Sequence, residues 1–187
     1  MSEHTAPARQ SAEDVLAFWR AAGPDRWFED DEAFDAAIRE RFETTYEDAA
    51  ASLLSAWEDR PQSALALVIV LDQFPRNMFR NSARSYAVDP LARGVAGRAI
   101  AGGFDRQVAM PERTFFYLPF EHSEELADQA RSVALFAETG DADSLKWAEL
   151  HADIIRRFGR FPHRNAVLGR TTTPDEQAFL DAGGFAG

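Results

Sequence analysis

The sequence predicts an all-α protein of stacked antiparallel helical hairpins, with about eight helices in a single domain. Cap residues, prolines and glycines recur along the chain, and the segments between them have the apolar spacing of helices. The sequence offers no two strand candidates that could pair with each other. Because the connections are short, we expect helices that are neighbours in sequence to pack side by side.

Cap chemistry predicts where the helices begin and end. Side chains that accept from backbone N–H groups, or prolines that suit a first turn, mark the starts, and glycines or prolines mark the ends. The predicted starts are Ser11, Asp30 or Asp31, Pro61, Asp89, Met110, Ser123, Asp141 or Asp143, and Thr173. The predicted ends are Gly23, Gly102, Pro119, Gly140 and Gly159, with a break near Thr44-Thr45.

The apolar run at residues 65–71 is the one segment that propensity alone would allow as a buried strand. Pro61 stands just before it, where proline suits the first turn of a helix. A strand would also need a partner strand, and the sequence provides none. We therefore expect a helix that is apolar on all sides and lies at the centre of the core.

Composition limits the classes of function. The chain has 187 residues, 45% of them hydrophobic, which fits one helical domain at residues 12–187 after a disordered tail at residues 1–11. It has no cysteine, which excludes disulfides and thiolate chemistry, and its net charge of −11 opposes binding to nucleic acid or anionic membranes. Its apolar runs are far shorter than the roughly 20 residues of a membrane span, so we expect a cytoplasmic protein.

Two segments resemble each other and provide the first candidate site residues. Asp72-Gln-Phe-Pro-Arg-Asn77 and Arg160-Phe-Pro-His-Arg-Asn165 each follow an apolar helix and are expected to end it at Phe-Pro. Arginine forks suit carboxylates and phosphates, and Asn can orient them. The candidate ligand-binding residues are Asp72, Arg76, Asn77, His151, Arg160, Arg164 and Asn165. The alternative is structural: an Asp–Arg pair pins one turn, and Arg and Asn cap helix ends.

Histidines provide the candidates for catalysis. His122 and Glu125 lie three residues apart, as an acid–base pair or two metal ligands would, although acidic residues also favour a helix start without any function. His163 is a candidate proton carrier. His151 is expected to face the core, where a histidine is more often structural. These three histidines could converge on one metal, but no spacing is diagnostic of a metal and no motif identifies a cofactor.

Three longer motifs together resemble a bacterial family catalogued as domain of unknown function nine hundred and twenty-four. They are residues 71–80 (LDQFPRNMFR), 117–124 (YLPFEHSE) and 158–165 (FGRFPHRN), and the likeness extends over about residues 15–179. The sequence departs from the family at Arg20, where an aromatic residue is expected after Phe18-Trp19. The resemblance implies a fold similar to tetratricopeptide-like helical repeats. It implies no activity, but it makes the three motifs the candidate places for a shared site.

Three hypotheses for function follow from these residues. The first is a binding protein that holds a small anionic ligand or an acidic peptide end between the two Phe-Pro segments. The second is a hydrolase at the same place, in one version metal-dependent, with His122 or His163 as general base and Glu125 or Asp72 orienting it. The third is a scaffold that binds partner proteins along an apolar groove. The sequence leaves the oligomeric state undecided.

Overall fold

The computed structural model describes residues 8–185, and this part of the chain is all-helical, as predicted. It contains nine α-helices joined by short connections and by five 3-10 helices, without any strand between residues 8 and 185. The α-helices are α1 (Ala12–Ala22), α2 (Pro24–Trp27), α3 (Glu32–Ala50), α4 (Pro61–Met78), α5 (Asp89–Ala101), α6 (Leu118–Glu121), α7 (Leu126–Ala137), α8 (Ala142–Phe158) and α9 (Pro174–Asp181).

Successive helices pack on each other, which is consistent with stacked helical hairpins. Helix α4 packs against both α3 and α5, and α7 packs against α8. The likeness to tetratricopeptide repeats stays a prediction. No helix within residues 8–185 combines the length and the apolar character needed to cross a membrane.

The predicted caps are largely confirmed. Ser11 opens α1 and Thr173 opens α9 through reciprocal capping boxes, in which the residue three positions on accepts from the cap's backbone N–H. Asp31 and Asp141 cap α3 and α8 with their carboxylates. Gly159 ends α8 in the left-handed conformation that favours glycine.

Three predicted helix ends are wrong, and one of them is Pro119, which lies inside α6 and does not end a helix. Helix α3 continues through Thr44-Thr45, where the buried side chains of Phe42 and Tyr46 hold it against the core. Helix α4 continues through Pro75 to Met78, so the first Phe-Pro pair does not form a turn. Only one helical turn follows Pro75, and the fully buried Phe74 and Met78 on either side give packing energy that outweighs the missing hydrogen bond.

The density of internal contacts divides the chain into two compact units. Unit 1 consists of Met1–Arg80 and Arg84–Pro119, and unit 2 of Asn81–Ala83 and Phe120–Gly187. The predicted single domain at residues 12–187 stays a prediction. Residues 1–7 of the predicted tail lie outside the described residues, whereas Gln10 already donates its backbone N–H to Thr45 Oγ1 at 2.9 Å.

Each unit has its own apolar core. In unit 1, α4 is buried along almost its whole length, which confirms the prediction of a central helix that is apolar on all sides. Trp19 and Phe42 pack with Phe74 there, with ring centroids 5.8 and 4.9 Å from the Phe74 ring. In unit 2 the core is formed by Ile154, Ile155 and Phe161.

The unit 1 core predicts how the chain responds to a cavity. Phe74 is fully buried, so Phe74→Ala should lower the free energy of unfolding by about 3–5 kcal/mol, because it removes buried surface and leaves a void. Phe28 is 68% exposed, so Phe28→Ala should change it by less than about 0.5 kcal/mol. Urea unfolding of both variants measures the difference, and equal effects would contradict the placement of the two rings.

Candidate functional site

Arg76 of the first motif is bound to two carboxylates of unit 1. Its Nη1 lies 3.4 Å from Asp72 Oδ1, one helical turn earlier, and its Nη2 lies 3.1 Å from Asp89 Oδ2 at the start of α5. Burial alone would lower the pKa of Arg76, but the charges of Asp72 and Asp89 raise it above its ordinary value. Asp72 is buried, so this guanidinium offsets the cost of a carboxylate in the core.

Asn77 also makes a contact within unit 1. Its side-chain amide donates to Asp35 Oδ1 of α3 at 2.8 Å. Arg80 contacts the same carboxylate, with Nη2 3.2 Å from Asp35 Oδ1. The polar residues of the first motif therefore tie α4 to α3 and α5.

Arg160 and Asn165 of the second motif converge on Glu176. Arg160 forms a bidentate pair with Glu176, with Nε–Oε1 at 2.6 Å and Nη2–Oε2 at 2.8 Å. Asn165 Nδ2 donates to Glu176 Oε2 at 3.2 Å, and so does the backbone N–H of Thr173 at 2.7 Å. The hydrogen bond from Arg160 is the main reason that the pKa of Glu176 falls to about 2. These contacts fix the start of α9 on the turn after α8.

A second carboxylate–arginine pair, between Glu124 and Arg170, holds Phe161 by its backbone. Arg170 Nη1 lies 2.7 Å from Glu124 Oε2, and Arg170 Nη2 donates to the Phe161 carbonyl at 3.1 Å. The Phe161 N–H donates to Glu124 Oε1 at 2.8 Å. Burial raises the pKa of Glu124, but the hydrogen bonds from Arg170 and Phe161 outweigh it and hold that pKa below its ordinary value. Sequence reasoning missed this pair, because 46 residues separate its members.

Arg164 is the most buried of the predicted anion-binding arginines, with 6% of its surface exposed. Its Nη1 donates to the His122 carbonyl at 3.0 Å, and its guanidinium carbon lies 4.4 Å from the centre of the Phe161 ring. Its positive charge lies close enough to His151 and His163 to lower the pKa of both.

His151 of α8 lies beside a carboxylate that the sequence did not single out. Its Nδ1 lies 2.8 Å from the Trp147 carbonyl and 3.4 Å from Glu121 Oε1. A carbonyl only accepts, so the proton is on Nδ1 and Nε2 is the acceptor nitrogen. Burial is the main cause that lowers the pKa of His151 to about 4, and the nearby His122 and Arg164 add to it. The imidazole is therefore neutral at pH 7.

His163 lies among aromatic rings. Its ring centre is 5.7 Å from Phe161 and 5.2 Å from Phe185. Burial first, and then the charge of Arg164, lowers its pKa to about 3. Its Nδ1 is buried and has no hydrogen-bond partner among residues 8–185. Such an unsatisfied nitrogen is uncommon in a folded protein.

The predicted pair of His122 and Glu125 is not formed. Glu125 is exposed at the start of α7, and its backbone N–H donates to Ser123 Oγ at 3.2 Å. The carboxylate that lies beside a histidine is that of Glu121, which is 3.4 Å from His151 Nδ1. Within the described part of the chain, no group of three or more His, Asp or Glu side chains is placed to hold a metal ion.

A groove of about 840 Å³ lies in unit 1, away from all three motifs in sequence. The starts of α1 and α4 line it, and we call it the unit 1 groove. Its polar and aromatic lining includes Arg9, Ser11, Glu13, Trp57, Arg60, Gln62 and Gln107. Sequence reasoning did not select these residues, because each is an ordinary surface residue type and only the fold brings them together.

Comparison with known proteins places the chain beside others of undetermined activity. The model of a family described as "Bacterial protein of unknown function (DUF924)" matches residues 15–184. A solved structure of a protein of unknown function from Agrobacterium tumefaciens is 48% identical, covers 91% of this chain and 97% of that chain, and superposes with a TM-score of 0.89. No curated protein matches the sequence.

The buried histidines predict a loss of stability in mild acid. In the unfolded chain a histidine has a pKa of 6.5, whereas His151 and His163 have pKa values of about 4 and about 3 in the fold. Protons therefore bind the unfolded chain first, so stability is full above pH 6.5 and falls as the pH drops toward 4. Each histidine should cost roughly 2 kcal/mol at about pH 5.

Urea unfolding at about pH 7.5 and pH 5 measures this loss. His151→Gln and His163→Asn should each remove part of the pH dependence, because neither new side chain titrates. Glu125→Gln, at an exposed position, serves as the control and should keep all of it. A decline in both histidine variants as large as that of the unchanged protein would contradict the neutral state of the imidazoles.

Proposed function

Because the chain belongs to the family described as Bacterial protein of unknown function (DUF924), whose description names no activity, we propose from the geometry that it binds a small anionic ligand in the unit 1 groove. The supporting observation is that α4 begins at this groove without a side-chain cap and without an acidic residue in its first turn.

Helix α4 differs from the other α-helices at its N-terminus. Each of the other eight α-helices within residues 8–185 has an acidic residue in its first turn, and four of them also have a side-chain cap. Helix α4 has neither, and the residue at its cap position is Arg60. The first intrahelical bond is the one from the Ala64 N–H to the Arg60 carbonyl, at 2.9 Å. The backbone N–H groups of Gln62 and Ser63 precede it and can donate to a ligand.

Two arginines and an aromatic side chain of the groove favour a small organic anion, and Glu13 is the acidic residue of its lining. Arg60 is exposed and forms no ion pair with any residue in the described range, whereas Arg9 lies 3.5 Å from Asp48. The nearby start of α1 is already neutralised by Asp14, which accepts from the Ser11 N–H at 3.1 Å. Trp57 offers an apolar face, and a volume of about 840 Å³ is in the range of small-molecule sites.

The groove supports anion binding better than the two Phe-Pro segments do. Arg76 and Arg160 are paired with carboxylates, and Arg164 is buried against Phe161, so a ligand would have to displace partners that are already in place. The hydrolase hypothesis has less support, because imidazoles with pKa values of about 4 and about 3 take up few protons at neutral pH. The scaffold hypothesis expects an apolar groove, whereas most residues that line the unit 1 groove are polar or charged.

Titration with inorganic phosphate, followed by backbone amide NMR, tests the proposal. We expect millimolar phosphate to shift the amide signals of Gln62 and Ser63, and high salt to weaken the effect. Arg60→Ala should weaken binding by about fivefold or more, since it removes the guanidinium beside the donors. Arg156→Ala, which removes another exposed arginine, in unit 2, should leave binding unchanged. Phosphate that leaves the Gln62 and Ser63 signals unmoved contradicts the proposal.

Gln62→Glu separates the effect on stability from the effect on binding. Gln62 Oε1 accepts from Arg20 at 2.7 Å, and a carboxylate can keep that contact while adding negative charge to the first turn of α4. The variant should gain about 0.5 kcal/mol in the free energy of unfolding, because the charge complements the helix dipole. It should bind phosphate more weakly than the unchanged protein. Tighter phosphate binding would show that the end of α4 is not the anion site.

A further inference from the structure

Arg20 of α1 contacts two side chains on other elements of unit 1. Its Nε and Nη2 atoms form a bidentate pair with Glu112, with N–O distances of 2.8 and 2.7 Å. The same Nη2 atom donates to Gln62 Oε1 at 2.7 Å, in the first turn of α4. Hydrogen bonding to Glu112 raises the pKa of Arg20 above its ordinary value, so its guanidinium stays charged. Glu112 therefore holds a charged donor in place beside Gln62.

The contact with Arg20 determines which end of the Gln62 amide is left for the unit 1 groove. A side-chain amide has an acceptor oxygen and a donor nitrogen, whereas a guanidinium only donates. Gln62 must therefore turn Oε1 toward Arg20, because the flipped amide would place donors against each other. Gln62 lines the groove, and its Nε2 atom makes no hydrogen bond within residues 8–185. The part of this amide that remains for a ligand is the donor.

Gln62 Nε2 adds a third donor to the start of α4. The backbone N–H groups of Gln62 and Ser63 precede the first intrahelical hydrogen bond, and Pro61 has no N–H. All three donors belong to the first turn of one helix, at the groove. Carboxylate, sulfate and phosphate groups have more than one acceptor oxygen, so one such group can bind a side-chain donor and a backbone donor together.

We propose that Arg20 is a positioning residue of the unit 1 groove, which holds Gln62 Oε1 so that Gln62 Nε2 donates to an oxygen of the bound anion. The proposal rests on the proposed function, because it needs an anion at the start of α4. Arg20 acts through Gln62 and not through its own contact with the anion. The loss of Arg20 should therefore matter for binding only while Gln62 is present.

Phosphate titrations of four proteins test this dependence: the unchanged protein, Arg20→Ala, Gln62→Ala and the double variant. Arg20→Ala should weaken phosphate binding about fivefold, but by less than about twofold when Gln62 is already alanine. An effect of Arg20 through its charge alone, or through the fold, would be the same in both backgrounds. Arg98→Ala is the matched control, since Arg98 forms a bidentate pair with Glu58 of the same unit at 2.6 and 3.0 Å, and it should leave phosphate binding unchanged.

The side-chain amide signals of Gln62 give a second measurement that needs no variant. In the unchanged protein, phosphate should shift the Nε2 proton signals of Gln62 together with the backbone amide signals of Gln62 and Ser63. Circular dichroism checks that each variant is folded.

Two results overturn this proposal and leave the anion site itself in place. One is a set of Gln62 Nε2 signals that stay unmoved while the backbone signals shift. The other is an equal loss of affinity from Arg20→Ala with and without the Gln62 side chain. Backbone signals of Gln62 and Ser63 that stay unmoved contradict the proposed function, and the role of Arg20 falls with it.

Discussion

The structure of the two Phe-Pro segments depends on one constraint: buried carboxylates must be paired with arginine side chains. Taking a carboxylate out of water is costly unless a charged or hydrogen-bonded partner compensates it. Asp72 and Asp89 share Arg76 in unit 1, and in unit 2 Glu176 is paired with Arg160. Arg76 and Arg160 of the Phe-Pro segments are thus required where they stand by the acidic residues of their own unit. This accounts for their place in the chain without any ligand.

The residues near each helix end were enough to predict the helices, but they could not predict which side chains form ion pairs across the fold. Ser11, Asp31 and Thr173 act on backbone groups two or three residues away, so their role can be predicted from the sequence. Pro75 lies inside α4 because the burial of the nearby Phe74 and Met78 in the core outweighs the local preference of proline. The partner of Arg160 is 16 residues away, and that of Arg170 is 46 residues away. Such distances carry no periodic signal, so those pairs became apparent only in three dimensions.

The histidines show how burial determines what a motif can do chemically. An imidazole acts as a proton carrier when its pKa lies near the ambient pH. Burial and the nearby Arg164 lower the pKa values of His151 and His163 far below that range. The sequence alone cannot reveal either effect. A neutral imidazole retains an aromatic face and edge together with one donor and one acceptor. These properties suit contact with another ring better than acid–base catalysis, and both histidines do contact Phe185.

The start of α4 reverses the rule that the other helices follow. A folded chain is most stable when local charge and the helix dipole agree, and exceptions are expected at sites with another role. Helix α4 is buried along almost its whole length, so its stability comes from packing and does not require a favourable cap. Because packing stabilises α4, the helix can tolerate Arg60 at its positive end. A short or exposed helix would be destabilised by an arginine there. The helix of unit 1 with the most extensive burial is therefore the one that can leave backbone donors available beside a groove.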